Sequence, residues 1–141
     1  MGLAVFDDNG RLVWYRSTNL GTRARLKKAV PSILAEAMNP SVVVIEGGGV
    51  LLPPWERGVE LIGSRLIRIE AGTWRRDMLL SRHQRSGRDA KSNALDLARD
   101  IIERTGGSRP TGALKDDVAE AILVGAWGVR QLGWMNDSWP F

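Results

Sequence analysis

The apolar positions change period several times along the chain, and each change predicts an element. Leu3-Ala4-Val5-Phe6 and Leu12-Val13-Trp14-Tyr15 flank Asp7-Asp8-Asn9-Gly10. This predicts a β-hairpin whose Asn-Gly pair supplies the positive φ angles of a tight turn. Over residues 22–38 the positions Leu26, Val30, Ile33, Leu34 and Ala37 follow helical spacing, with Pro31 as a kink and Asn39-Pro40 as the stop. Val42-Val43-Val44-Ile45 is short and wholly apolar, the pattern of a central strand covered on both faces.

Pro53-Pro54 opens a short helix over residues 55–62, and Leu66-Ile67-Arg68-Ile69 reads as a further strand. Residues 74–91 are polar and basic, the character of a loop or a loosely held helix start. Ala94, Leu95, Leu97, Ala98, Ile101 and Ile102 mark an amphipathic helix from Ser92, closed by Gly106-Gly107. After a Gly/Pro-rich loop, a last helix covers residues 116–132, with Trp127 facing a core. The tail carries Trp134 and Trp139 without a regular pattern. No repeat or domain boundary interrupts residues 1–141, so the expectation is a single α/β domain with a mixed sheet flanked by helices.

A chain of 141 residues is long enough for a genuine core. Cysteine is absent and His83 is the one histidine, which excludes thiolate and His-rich metal sites and leaves carboxylates as metal ligands. His83 itself lies in the basic stretch and reads as an exposed residue. No apolar run approaches the roughly 20 residues that cross a bilayer, and no leader pattern opens the chain, so a soluble, cytoplasmic protein is expected.

The net charge is +4, but residues 65–91 hold eight Lys/Arg against Glu70, Asp77 and Asp89, a larger surplus than the whole chain has. Arg65, Arg68, Arg75, Arg76, Arg82, Arg85, Arg88 and Lys91 form this cluster. Guanidinium forks match phosphate oxygens, so the cluster points to a nucleic-acid backbone, with a solvated basic face as the alternative.

Three carboxylates carry the candidate chemistry. Glu46 ends the apolar strand and runs into Gly47-Gly48-Gly49, where the absence of side chains permits close approach of a ligand. Asp117 and Glu120 lie three apart on the last helix and point the same way, while Val118, Ala119, Ile122 and Leu123 turn inward. Convergence of these oxygens would suit Mg²⁺, which activates water against a phosphodiester. Taken singly, Glu46 reads as a solvated strand end, Asp117 as a cap or dipole partner, and Glu120 as a surface partner of Lys115 or a nearby Arg. The glycines precede no Lys-Ser/Thr pair, so a nucleotide-phosphate loop is not expected. Trp74, beside Arg75 and Arg76, is placed for stacking on a nucleobase or for packing in the core.

The order Val-Phe-Asp hairpin, kinked helix, Val-Val-Val-Ile-Glu-Gly, Thr-Trp-Arg-Arg, Lys91 before a helix, and Asp-Asp-Val-Ala-Glu-Ala resembles a known family. It looks like the RuvC-like Holliday junction resolvases of the RNase H superfamily, especially their phage and plastid-type branches, over residues 2–129. The resemblance implies an RNase H-like fold and an endonuclease of DNA recombination and repair. Such an enzyme cleaves branched DNA as a homodimer with two Mg²⁺ ions (Mn²⁺ as a substitute), in a bacterium or a phage-infected host cell. By resemblance, Glu46, Asp117 and Glu120 are metal ligands, and Lys91 contacts DNA near the cut. Trp74 and Arg75 match a DNA-facing Trp-Lys pair, and the remaining Arg76, Arg82, Arg85 and Arg88 extend that surface.

Two departures stand out. The family more often has Asp at the position of Glu120. Its chains also begin with a strand ending Asp-x-Gly, whereas this one begins at Met1-Gly2-Leu3-Ala4-Val5, which corresponds to the second strand. The first central strand and its carboxylate are therefore expected to be missing, and Asp7 and Asp8 at the turn do not replace it. Such a gap leaves backbone groups unpaired at about 1–3 kcal/mol for each one buried. A wrongly assigned start, another segment or subunit, or a degenerate domain would each account for it. The family-based alternatives are a non-catalytic DNA-binding or architectural module and an RNase H-type nuclease acting on RNA–DNA hybrids.

Overall fold

A computed structural model describes residues 1–70, 72–79, 87–105 and 112–134, with only the backbone described over residues 87–91. The order of elements is β1 (Gly2–Phe6), β2 (Leu12–Ser17), α1 (Arg23–Glu36), β3 (Val42–Glu46), α2 (Leu52–Leu61), β4 (Arg65–Ile69), α3 (Thr73–Met78), α4 (Gly87–Thr105) and α5 (Asp116–Gln131). A 3₁₀ turn, Gly49–Leu51, leads into α2. They form two compact units, one of Met1–Thr18 with Gly72–Phe141, the other of Asn19–Ala71.

In the first unit β1 and β2 pair antiparallel, with a register shift between Val5 and Phe6. The turn differs from the expected one. Only Gly10 takes a positive φ, of 77°, and Asn9 does not. Asp7 does the work instead: its Oδ1 accepts from the N–H groups of Asn9 and Arg11, each at 2.9 Å. Its carbonyl accepts from Gly10 N–H at 3.1 Å. A carboxylate that closes its own turn in this way makes the left-handed Asn unnecessary.

The core of this unit is built on α5, which buries Val118, Ala119, Ile122, Leu123, Val124, Ala126 and Val129. It packs against β1, β2, α3 and α4. Ala94, Ala98, Ile101 and Ile102 of α4 are buried at the spacing expected of one helix face. Strand β1 lies along α5 so closely that glycine is required at both ends of the contact. A Cβ on Gly2 would collide with the carbonyl oxygen of Asp117, and one on Gly125 with the Phe6 ring. From Asp117 to Gly125 the helix rises about 12 Å, and from Gly2 to Phe6 the strand advances about 13 Å. The lengths match, so strand and helix run side by side in the same direction.

The second unit is a β3–α2–β4 crossover with α1 packed on α2. Thr22 caps α1, its Oγ1 accepting from Arg25 N–H at 3.2 Å. The helix is continuous through Pro31 and buries Leu26, Val30, Ile33 and Leu34. It ends where Met38 and Asn39 turn left-handed, at φ 59° and 49°. Gly58 of α2 admits Val30, whose Cγ1 would lie 2.5 Å from any Cβ there. Strands β3 and β4 are parallel, with Ile45 opposite Arg68 and Glu46 opposite Ile69.

Three further expectations are corrected. Among the described residues the strands form not one mixed sheet but two two-stranded sheets, β1-β2 and β3-β4. Strand β3, read as covered on both faces, is half-buried at every position. Among the described residues it pairs with β4 alone, so its wholly apolar sequence is not matched by whole burial. The basic stretch after β4 also carries more helix than expected: α3 occupies Thr73–Met78, and α4 begins at Gly87 rather than Ser92.

Candidate functional site

The start of α5 carries the first part of the site. Asp116 and Asp117 occupy its first turn, where carboxylates complement the positive end of the helix. The hydroxyl of Ser17, at the end of β2, donates to Asp117 Oδ2 at 2.7 Å. The Met1 ammonium lies 3.3 Å from the same oxygen. Asp117 Oδ1 accepts from Val118 N–H at 2.9 Å. The Ser17 hydrogen bond leads in holding the Asp117 carboxyl below its ordinary range; partial burial opposes it, and the Met1 ammonium and Val118 N–H add to it. The carboxylate form, the one that ligates a cation, therefore persists to lower pH than in an ordinary Asp.

One turn further on, Glu120 Oε1 receives Arg75 Nη2 at 3.2 Å. Arg75 also lies over the Trp74 ring, 5.0 Å from its centroid. Trp74 is 0% exposed. It is therefore a core residue supporting Arg75, and a base has no access to its face; the core-packing alternative is the one realised. Arg76 projects from α3 on an exposed position. Trp127, expected in the core, is half-buried and donates from Nε1 to Asp77 Oδ2 at 2.8 Å. Arg130 Nη1 donates to the Asp77 carbonyl at 3.0 Å, so Asp77 fastens α3 to α5 beside the carboxylates.

In the second unit, Glu46 is the last residue of β3 and half-buried. The chain then leaves the strand through Gly47 and Gly49, both left-handed at φ 85° and 74°. Arg68 Nε donates to the Gly47 carbonyl at 2.7 Å. Arg82 and Arg85 lie outside the described residues, as does His83. Arg88 and Lys91 belong to the first turns of α4, but their side chains lie outside the described residues.

Asp117 and Glu120 thus share one helix face, as their spacing predicts. Among the described residues, no group of three or more His, Cys, Asp or Glu side chains stands together as a metal centre. Asp117 and Glu120 on α5 are hard oxygen donors, the type that Mg²⁺ takes. Ser17 and Asp77 are absent from the sequence-based site, whereas Arg68 enters it only as one of the basic cluster. Ser17 meets Asp117 across a hundred positions of sequence, and no local pattern signals such a contact.

Comparison with solved structures gives the fold. The chain is similar to the RuvC structure from Thermus thermophilus at a TM-score of 0.58, with 94% of this chain and 88% of that chain covered and 14% sequence identity. The fold is RuvC-like. No protein-family model and no curated protein matches the chain, so the likeness rests on backbone arrangement. Among the described residues, no helix is long and apolar enough to cross a membrane.

Proposed function

We propose that this protein is a Mg²⁺-dependent endonuclease acting on branched DNA, in the manner of a Holliday junction resolvase. The observation that carries the reading is the RuvC-like fold with an ionised Asp117 one turn before Glu120 on α5. Glu46, Asp117 and Glu120 are its metal ligands. A divalent cation, when bound, supplies the charge that activates water and steadies the leaving oxygen. Ser17 holds the Asp117 carboxylate in position, and Arg75 holds Glu120 in place until DNA competes for the guanidinium. Arg76, Arg82, Arg85 and Arg88 bind the phosphate backbone, and Lys91 neutralises charge at the scissile phosphate. A homodimer matches the two-fold symmetry of a junction. Residues 1–141 act as a single RNase H-like domain in this reading.

A specific observation favours a second reading. Glu120 is already ion-paired with Arg75, and Asp117 already bonds Ser17 and Met1. Carboxylates so engaged suit a DNA-binding module of the same fold that does not cleave.

Incubation of the protein with a labelled synthetic four-way junction, in Mg²⁺ and in EDTA, separates these readings. Nicking in Mg²⁺ that disappears in Asp117→Asn and Glu46→Gln supports the endonuclease. Binding without nicking, unchanged by Glu46→Gln, rejects it in favour of the module. Preferential cutting of an RNA–DNA hybrid in competition would instead assign an RNase H-type activity.

A further inference from the structure

The loop after β3 seats one member of the basic cluster, Arg68, in a way that the sequence pattern does not show. Arg68 sits on β4, and its guanidinium is hydrogen-bonded at one point and has an ion-pair neighbour at another. Nε donates to the Gly47 carbonyl at 2.7 Å, and Nη2 lies 3.6 Å from Glu70 Oε1. A Cβ on Gly48 would lie 2.9 Å from Nη2, 3.1 Å from Cζ and 3.2 Å from Nε. Three atoms of the guanidinium at nearly equal distance mean that it lies flat against the Gly48 backbone. Glycine at position 48 is the seat that allows this.

Of the five N–H donors of an arginine, the Gly47 contact occupies the one on Nε, and the Glu70 carboxylate is an ion-pair neighbour beyond hydrogen-bond length. Among the described residues no other polar partner takes the rest, and the side chain is 51% exposed. A surface pair at 3.6 Å contributes little to stability, so fold alone does not account for so closely held a guanidinium. Its position does suggest a use. The carboxyl ends of parallel strands are where open α/β sheets take up ligands, and β3 and β4 end at Glu46 and Ile69.

We infer that Arg68, seated on Gly48, is a phosphate-contacting residue at the Glu46 end of the β3–β4 pair. The inference rests on the DNA reading above and adds a residue to it. The register limits which phosphate is met. Arg68 is opposite Ile45, and Glu46 is opposite Ile69, so the side chains of Arg68 and Glu46 leave the strand pair on opposite faces. Arg68 returns to the strand ends only by lying along the glycine loop. It therefore takes a phosphate flanking the scissile one, held by the Nη1 edge of a fork whose other edge is anchored.

The test is equilibrium binding of a fluorescent four-way junction to the full chain in EDTA, across a series of KCl concentrations. Arg68→Gln is expected to bind roughly five- to tenfold more weakly and to lower the slope of log affinity against log salt by about 0.9, the loss of one phosphate contact. Arg68→Lys keeps the charge without the fork and is expected to fall between. Gly48→Ala retains every charge and displaces only a flexible side chain, so it is expected to weaken binding in the same direction while thermal melting stays near the wild-type value. Combined with Arg68→Gln it should add nothing. Wild-type affinity and slope in Arg68→Gln overturn the inference and leave the DNA reading standing. A wild-type protein that binds no junction overturns both.

Discussion

The hydroxyl of Ser17 lies 2.7 Å from Asp117 Oδ2, and this hydrogen bond ties the end of β2 to the first turn of α5. It also leads in lowering the pKa of the Asp117 carboxyl. A carboxyl whose native pKa is depressed stabilises the fold fully above its unfolded value, about 3.9 for Asp. That contribution is lost as pH falls through the lowered native value. Ser17→Ala is expected to move the Asp117 titration back toward the ordinary range and to shift acid unfolding to higher pH. With the carboxylate 36% exposed, the loss at neutral pH is expected to be modest, about 1 kcal/mol. Carboxyl NMR titration and acid-unfolding curves check both; an unmoved Asp117 titration contradicts the assignment.

Arg75 is held by Glu120 and by the Trp74 ring, and the ion pair is over a third exposed on each side. Arg75→Ala is therefore expected to change unfolding free energy by less than about 1 kcal/mol. Junction affinity should fall all the same, and its salt dependence should flatten by about one unit in the log–log slope. Chemical denaturation and salt-dependent binding, run on the same variant, separate the two effects.

Trp127 and Arg130 both hold Asp77, one by its carboxylate and one by its carbonyl. Asp77→Ala removes the acceptor of the Trp127 indole and leaves the backbone contact. A loss of about 1 kcal/mol is expected, with a change in Trp127 emission as the indole loses its partner. An emission spectrum that retains its wild-type shape would show that the indole does not depend on Asp77.

Gly125 faces the Phe6 ring across the contact between α5 and β1. Gly125→Ala forces a methyl group into that ring, an overpacking that costs about 1–3 kcal/mol. The better helix propensity of alanine offsets at most about 1 kcal/mol. Net destabilisation by denaturant titration is the expected outcome, and Phe6→Leu should relieve part of it by removing the ring edge.

Much of this architecture was legible from local pattern. The strands around Asp7-Gly10, the helix capped by Thr22, the strand ending at Glu46 and the helix opening at Asp116 lie where the periodicity places them. The shared face of Asp117 and Glu120 follows from a spacing of three on a helix. Burial of Trp74 did not follow: a Trp between a Thr and two Arg has no apolar periodicity to declare it, and its enclosure is a matter of how α3 packs in the folded chain. The turn chemistry of Asp7 was missed because Asn-Gly is the louder local signal.

Local sequence determines which residues form strands and helices here, because backbone propensity and side-chain period act over neighbouring positions. It equally determines that carboxylates are the available metal ligands, since the chain offers no cysteine and one histidine. Tertiary structure alone decided the partners: Ser17 for Asp117, Arg75 for Glu120, and Gly47 and Gly48 for Arg68. Each of these depends on where distant segments meet. That is set by the fit of buried surfaces, such as Gly2 and Gly125 admitting β1 against α5, and not by any pattern within one segment.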